Sequence, residues 1–210
     1  MFRRIVVSAL FATLAACGSK PAPVAYVPPP PVVAAPVRPQ FNLTGIVAPQ
    51  LLTDGTYLTP NRTVSPAGAI WHLRAGLNVA ALSCRGPQDY ALAGQYNALI
   101  AAHRAELARA QAALTAEQGG VAGHDDAMTR LYNYYALPPA QPEFCRAAAA
   151  LLAEVGYVPA GSLAPFALAA MPRIDAPFVA VFRAADAWRN PPVTLAAPQV
   201  AVDPTIAMHR

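Results

Sequence analysis

The sequence predicts a mainly α-helical protein, an irregular helical bundle with a short extended or β-like flap on its N-terminal side. Three observations predict it. From Ser65 to about residue 189, apolar residues recur three and four apart, the spacing of a buried helix face. That stretch is punctuated by Gly86-Pro87, Gly119-Gly120, Pro138-Pro139 and Gly156, all helix stop signals. Strand-like alternation is confined to a short region between residues 41 and 59.

Residues 1–16 read as an export signal. Arg3 and Arg4 give a positive start, Ile5 to Leu14 an apolar core, and Ala15-Ala16 a small-residue end. The apolar run is about ten residues, half of what a membrane-spanning helix needs. It runs into Leu14-Ala15-Ala16-Cys17, which resembles the lipobox of bacterial lipoproteins. The resemblance implies cleavage before Cys17 and fatty acyl chains on that residue. Each buried CH₂ of such a chain contributes roughly 0.8 kcal/mol to membrane binding, so more than one chain makes a stable anchor. Gly18 stands where an Asp marks inner-membrane retention in enterobacterial lipoproteins. The resemblance therefore implies a periplasm-facing protein on the outer rather than the inner membrane.

Residues 17–40 are the expected lipidated cysteine and tether. Eight prolines fall in 18–40, four of them consecutive at Pro28–Pro31. Proline fixes φ and removes the amide donor, so this stretch predicts an extended polyproline segment reaching up to ~70 Å. Residues 41–65 are the expected flap. Phe41 to Val47 alternates, and Asp54-Gly55 marks a turn before Thr56 to Thr59.

The helical domain is expected over 66–190. Ser65 is an N-cap and Pro66 a first-turn proline. The first helix, ending near Cys84, is apolar nearly all round and so predicts a central position. Arg74 and Asn78, four residues apart, form its polar strip. A second helix is predicted over 88–118, roughly 45 Å long, with His103 in mid-stripe. A third is predicted over 125–137, with Asp125 and Asp126 in its capped first turn. A fourth is predicted over 142–156, a short fifth over 161–170, and a sixth over 173–189. Residues 191–210 bear prolines without a sustained period and read as a loose tail.

The segments WHLRAGLNVAALSC, YNALIAAHRAELARA and HDDAMTRLYNYYALPPAQPEFCRAAA resemble a set of alphaproteobacterial helical proteins, mostly from sphingomonads. The likeness spans roughly 56–190 and implies one domain. It implies no activity, so it assigns a role to no residue.

Composition narrows the function classes. The net charge of +4 falls to +2 once Arg3 and Arg4 leave with the signal, and no basic run remains. Nucleic acid is therefore not an expected partner. With Cys17 assigned to lipid, Cys84 and Cys145 are an even pair in an oxidising compartment, which predicts a disulfide. The alternative is two buried thiols acting as small apolar groups. No G-x-S-x-G elbow, H-E-x-x-H pair or phosphate-binding glycine loop is present. No catalytic residue, metal ligand set or cofactor is assigned. His124-Asp125-Asp126 reads as a helix start, because neighbouring positions do not share a face on which to hold a metal.

The leading expectation is a lipid-anchored envelope protein acting by interaction, with an envelope protein or cell-wall polymer as partner. The alternative is a cell-wall or small-ligand protein, enzymatic or binding, with a site near Arg74, Asn78, His103 and Tyr132. The two differ in an observable. A site requires these groups to converge with one left unpaired, and a structural body satisfies them internally.

Overall fold

Ser65 starts the first helix as its residue type predicts. Its hydroxyl accepts from the Gly68 amide at 2.9 Å and donates to Glu117 Oε2 at 2.7 Å. Pro66 follows at the first helical position, where its missing N–H costs nothing. The computed structural model describes residues 37–87 and 89–191. The expected signal, Cys17 and the tail beyond Pro191 lie outside the described residues, as does the tether up to residue 36.

The described residues hold six α-helices, all within one compact unit, and no strand. They are α1 (Pro66–Ser83), α2 (Leu92–Ala102), α3 (Arg104–Glu117), α4 (Val121–Tyr135), α5 (Gln141–Val155) and α6 (Leu163–Arg189), with a single 3₁₀ turn at Pro138–Ala140. This is the mainly α bundle that the periodicity predicts. α1 is its central element and packs against each of the other five helices. Its buried residues, among them Ile70, Trp71, Leu73, Ala75 and Leu77, face all sides, as an all-round apolar helix must.

The flap is extended, with one antiparallel bridge, Leu51 to Tyr57, rather than a paired ladder. Asp54 makes the turn: its Oδ1 accepts from the Thr56 amide at 3.0 Å and from the Thr56 hydroxyl. Gly55 at φ +76° supplies the left-handed step.

Three boundaries differ from expectation. The helix predicted over 88–118 is two helices, divided at His103, where φ is −112° and ψ 21°. The apolar stripe runs unbroken through the division, so periodicity alone reads one helix. The bend is set by a tie to another element: Glu106 accepts from the Gly161 and Leu163 amides at the start of α6 while bonding the His103 ring.

α4 begins at Val121, four residues early. Gly119 and Gly120 at φ +80° and +107° close α3, the Gly120 amide bonding back to Thr115 O, and the chain re-enters a helix at once. Asp125 and Asp126 therefore lie inside the helix and do not cap it. The predicted fifth and sixth helices are one helix, α6, running through Pro172 and Pro177. Each interior proline costs about 3 kcal/mol. The six large side chains that α6 buries (Leu163, Met171, Ile174, Phe178, Val181 and Phe182) each return about 1.5–3 kcal/mol. Burial wins. α6 is long and apolar enough to cross a membrane, and half of its most apolar window is buried inside the bundle.

Candidate functional site

Cys84 ends α1 and Cys145 lies in the first turns of α5, and they are joined in a disulfide with Cα atoms 5.7 Å apart. This is the pairing that the cysteine count predicts. A cleft of about 750 Å3 among the described residues lies over the bond. Its polar groups are already engaged. Arg85 donates to the Cys84 and Leu82 carbonyls, Asp89 accepts from the Gly86 amide, and Gln141 donates to the Tyr135 carbonyl. Arg146 pairs with Glu143. The Asp89 carboxylate lies within 4.8 Å of both sulfurs, which the disulfide withdraws from metal ligation.

A second polar centre joins the flap to the bundle. Asp175 of α6 accepts from Thr59 Oγ1 at 2.8 Å, Asn61 Nδ2 at 2.9 Å and the Tyr134 hydroxyl at 2.5 Å. Asn61 is 4% exposed, and its Oδ1 faces the Tyr135 hydroxyl at 3.1 Å and His72 Nδ1 at 3.0 Å. With Asn61 Nδ2 bound to the carboxylate, its oxygen is left as acceptor. That fixes the His72 tautomer: Nδ1 carries the proton and donates. Burial lowers the His72 pKa to about 4, so the ring is neutral near pH 7. Tyr57 donates to Asp186 Oδ2 at 2.5 Å, and burial followed by that carboxylate raises its pKa to about 12. Arg189 donates to the Leu43 and Ile46 carbonyls. The flap is thus strapped along α6 by two carboxylates and a guanidinium.

His72 is buried and bonded to the flap. Tyr134 is half-buried, its ring tilted against that of Phe178 at 4.5 Å between centroids, and it is bonded to Asp175. Its contacts with Phe178 and Asp175 are both to α6.

The residues singled out around Arg74 divide. His103 is 2% exposed and its Nδ1 lies 2.8 Å from Glu106 Oε1. It is committed to holding α2, α3 and the start of α6 together. Arg74, Asn78 and Tyr132 are each half-buried, and Tyr96 of α2 is buried. Tyr96 is 8% exposed, and its hydroxyl is the one buried side-chain polar atom without a hydrogen-bond partner among the described residues. Burial raises the pKa of that hydroxyl, the Arg74 charge and the Asn78 amide pull against the rise, and Tyr132 adds to it. The Arg74 guanidinium carbon lies 4.5 Å from the Trp71 ring centroid, a cation–π contact. No carboxylate among the described residues lies within ion-pair distance of Arg74. His124 Nδ1 lies 2.8 Å from Gln118 Oε1, and its ring is tilted to the Trp71 ring with centroids 6.2 Å apart.

An acid–base pair aimed at a cavity is not what these groups form. His72, His103 and His124 each engage Nδ1, and half-buried Asp175 both carboxylate oxygens, in hydrogen bonds inside the fold. Arg74, Asn78 and Tyr132 are half-buried polar groups, of which the carboxamide and the phenol both donate and accept. Comparison with protein-family models, curated proteins and solved structures finds no match to this chain.

Proposed function

We propose that this is a lipid-anchored protein of the bacterial cell envelope, held by Cys17 and facing the periplasm, whose helical body acts by binding rather than by catalysis. One observation carries the anchoring. Two arginines, an apolar core and Leu-Ala-Ala-Cys stand in the order that a lipoprotein signal requires. The disulfide between Cys84 and Cys145 supports an oxidising compartment, where such bonds persist. The eight prolines of 18–40 suit a spacer between membrane and body. The body's role as a binder is supported by its chemistry. His72, His103, His124 and half-buried Asp175 are engaged in internal hydrogen bonds, while Arg74, Asn78 and Tyr132 are half-buried polar groups able to meet a ligand. An envelope protein or cell-wall polymer is the partner class that this location supplies.

The test is Cys17→Ser in the full chain. The expected outcome is loss of the protein from the membrane fraction and slower removal of residues 1–16. Intact mass of wild-type protein taken from membranes should show a chain that begins at Cys17 and carries fatty acyl groups. An initiator methionine still attached, with no acyl mass, would overturn the anchoring.

A further inference from the structure

We infer that Cys84, Cys145 and Asp89 form a zinc site that the disulfide covers and that reduction of the bond opens. The inference is independent of the lipid anchor. Cys84 closes α1, Cys145 lies in the first turns of α5, and Asp89 comes from the connection between α1 and α2. The two sulfurs and a carboxylate oxygen of Asp89 all lie within 4.8 Å of one another. Among the described residues this is the one gathering of three such ligands.

Ligand type and spacing select the ion. Two donors held by one tetrahedral zinc at ~2.0–2.3 Å are roughly 3.5–3.8 Å apart. Rotation of the cysteine side chains parts the sulfurs to that spacing while their Cα atoms, 5.7 Å apart, stay in place. A thiolate pair favours copper(I) or zinc over magnesium or calcium, and the added carboxylate oxygen favours zinc over copper(I). Three protein ligands leave the fourth zinc position open. It faces the cleft of about 750 Å3 that both cysteines and Asp89 line, which gives the ion a path in.

The neighbouring guanidiniums are committed elsewhere. Arg85 donates to the Cys84 and Leu82 carbonyls, and Arg146 pairs with Glu143. Asp89 Oδ2 accepts from the Gly86 amide at 2.7 Å, which orients the carboxylate, and Oδ1 accepts from none of the described residues. Opening the site takes two electrons and two protons from a dithiol. The S–S bond breaks, each sulfur takes a proton, and the dithiol closes to its own disulfide. Zinc then displaces one proton from each thiol as it binds. The oxidised chain holds no thiolate here and so no site.

Cobalt(II) is the probe, in the full-length Cys17→Ser chain, which removes the third cysteine whether or not it is acylated. Protein reduced with a water-soluble phosphine, which brings no thiol of its own, is titrated with Co²⁺ and then with Zn²⁺. The expected result is a sulfur-to-cobalt charge-transfer band that saturates at one ion per chain and fades as Zn²⁺ is added. The unreduced chain should show no such band. Asp89→Asn keeps an acceptor for the Gly86 amide and should weaken Co²⁺ binding roughly tenfold or more. Circular dichroism is read alongside. A reduced chain that has lost helix should regain it with one equivalent of Zn²⁺, because an ion bound only by the folded state stabilises that state. No band after reduction, a band without reduction, an affinity unchanged by Asp89→Asn, or helix lost on reduction and not restored by Zn²⁺ would each overturn the site.

Discussion

At Asn61 one carboxamide serves two centres, donating to Asp175 and accepting from Tyr135 and His72. Such a residue is expensive to disturb, because each partner is left buried and unpaired. Asp175→Ala strands Thr59, Asn61 and Tyr134 together. It should cost about 2–3 kcal/mol in urea denaturation; a loss below about 0.5 kcal/mol would show that the carboxylate does not hold the flap. His72 makes stability depend on pH. Its pKa is about 4 when folded and ~6.5 when unfolded. Above 6.5 the ring is neutral in both states and contributes no penalty. Between 6.5 and 4 the unfolded chain takes up the proton and the folded one does not, so stability falls as pH falls. The full effect is up to about 3 kcal/mol. His72→Gln should flatten the stability profile between pH 6.5 and 4.5, and an unchanged slope would assign it elsewhere.

At the scale of elements, α1 and α6 pack closely at Gly76. A Cβ on Gly76 would sit 2.6 Å from Ile174 Cδ1 and 3.0 Å from the Tyr135 ring. Ile174 and Tyr135 are both fully buried, so neither has space to yield. Gly76→Ala therefore should destabilise by about 1–3 kcal/mol despite alanine's better helix propensity. A thermal melt distinguishes the two effects by sign. Helix existence followed from apolar spacing, and caps such as Ser65-Pro66 and stops such as Gly119-Gly120 were visible in the residues themselves. Where reading failed, a distant contact had overruled a local rule. The proline at 172 signals a break, yet the buried face of α6 carries the helix through it. Nothing at His103 signals a bend, yet Glu106 reaches across to α6 and makes one.

For the whole molecule, the disulfide links the end of α1 to the start of α5 across a sequence separation of 61. Closing a loop of that length removes unfolded-state entropy worth about 4 kcal/mol. Cys84→Ser with Cys145→Ser should lower stability by roughly that amount. Alkylation of denatured, non-reduced protein should leave both cysteines unlabelled. The sequence by itself determined the helical class, the central place of α1, the cysteine pair and the polar character of Arg74 and Asn78. These follow from composition and periodicity, which are local. Only the tertiary structure decided that His103 is a structural tie, that Asp175 and Asn61 strap the flap, and that Tyr96 is left without a partner. Whether a polar group is paired depends on what another helix brings to it, and spacing along one chain segment holds no record of that.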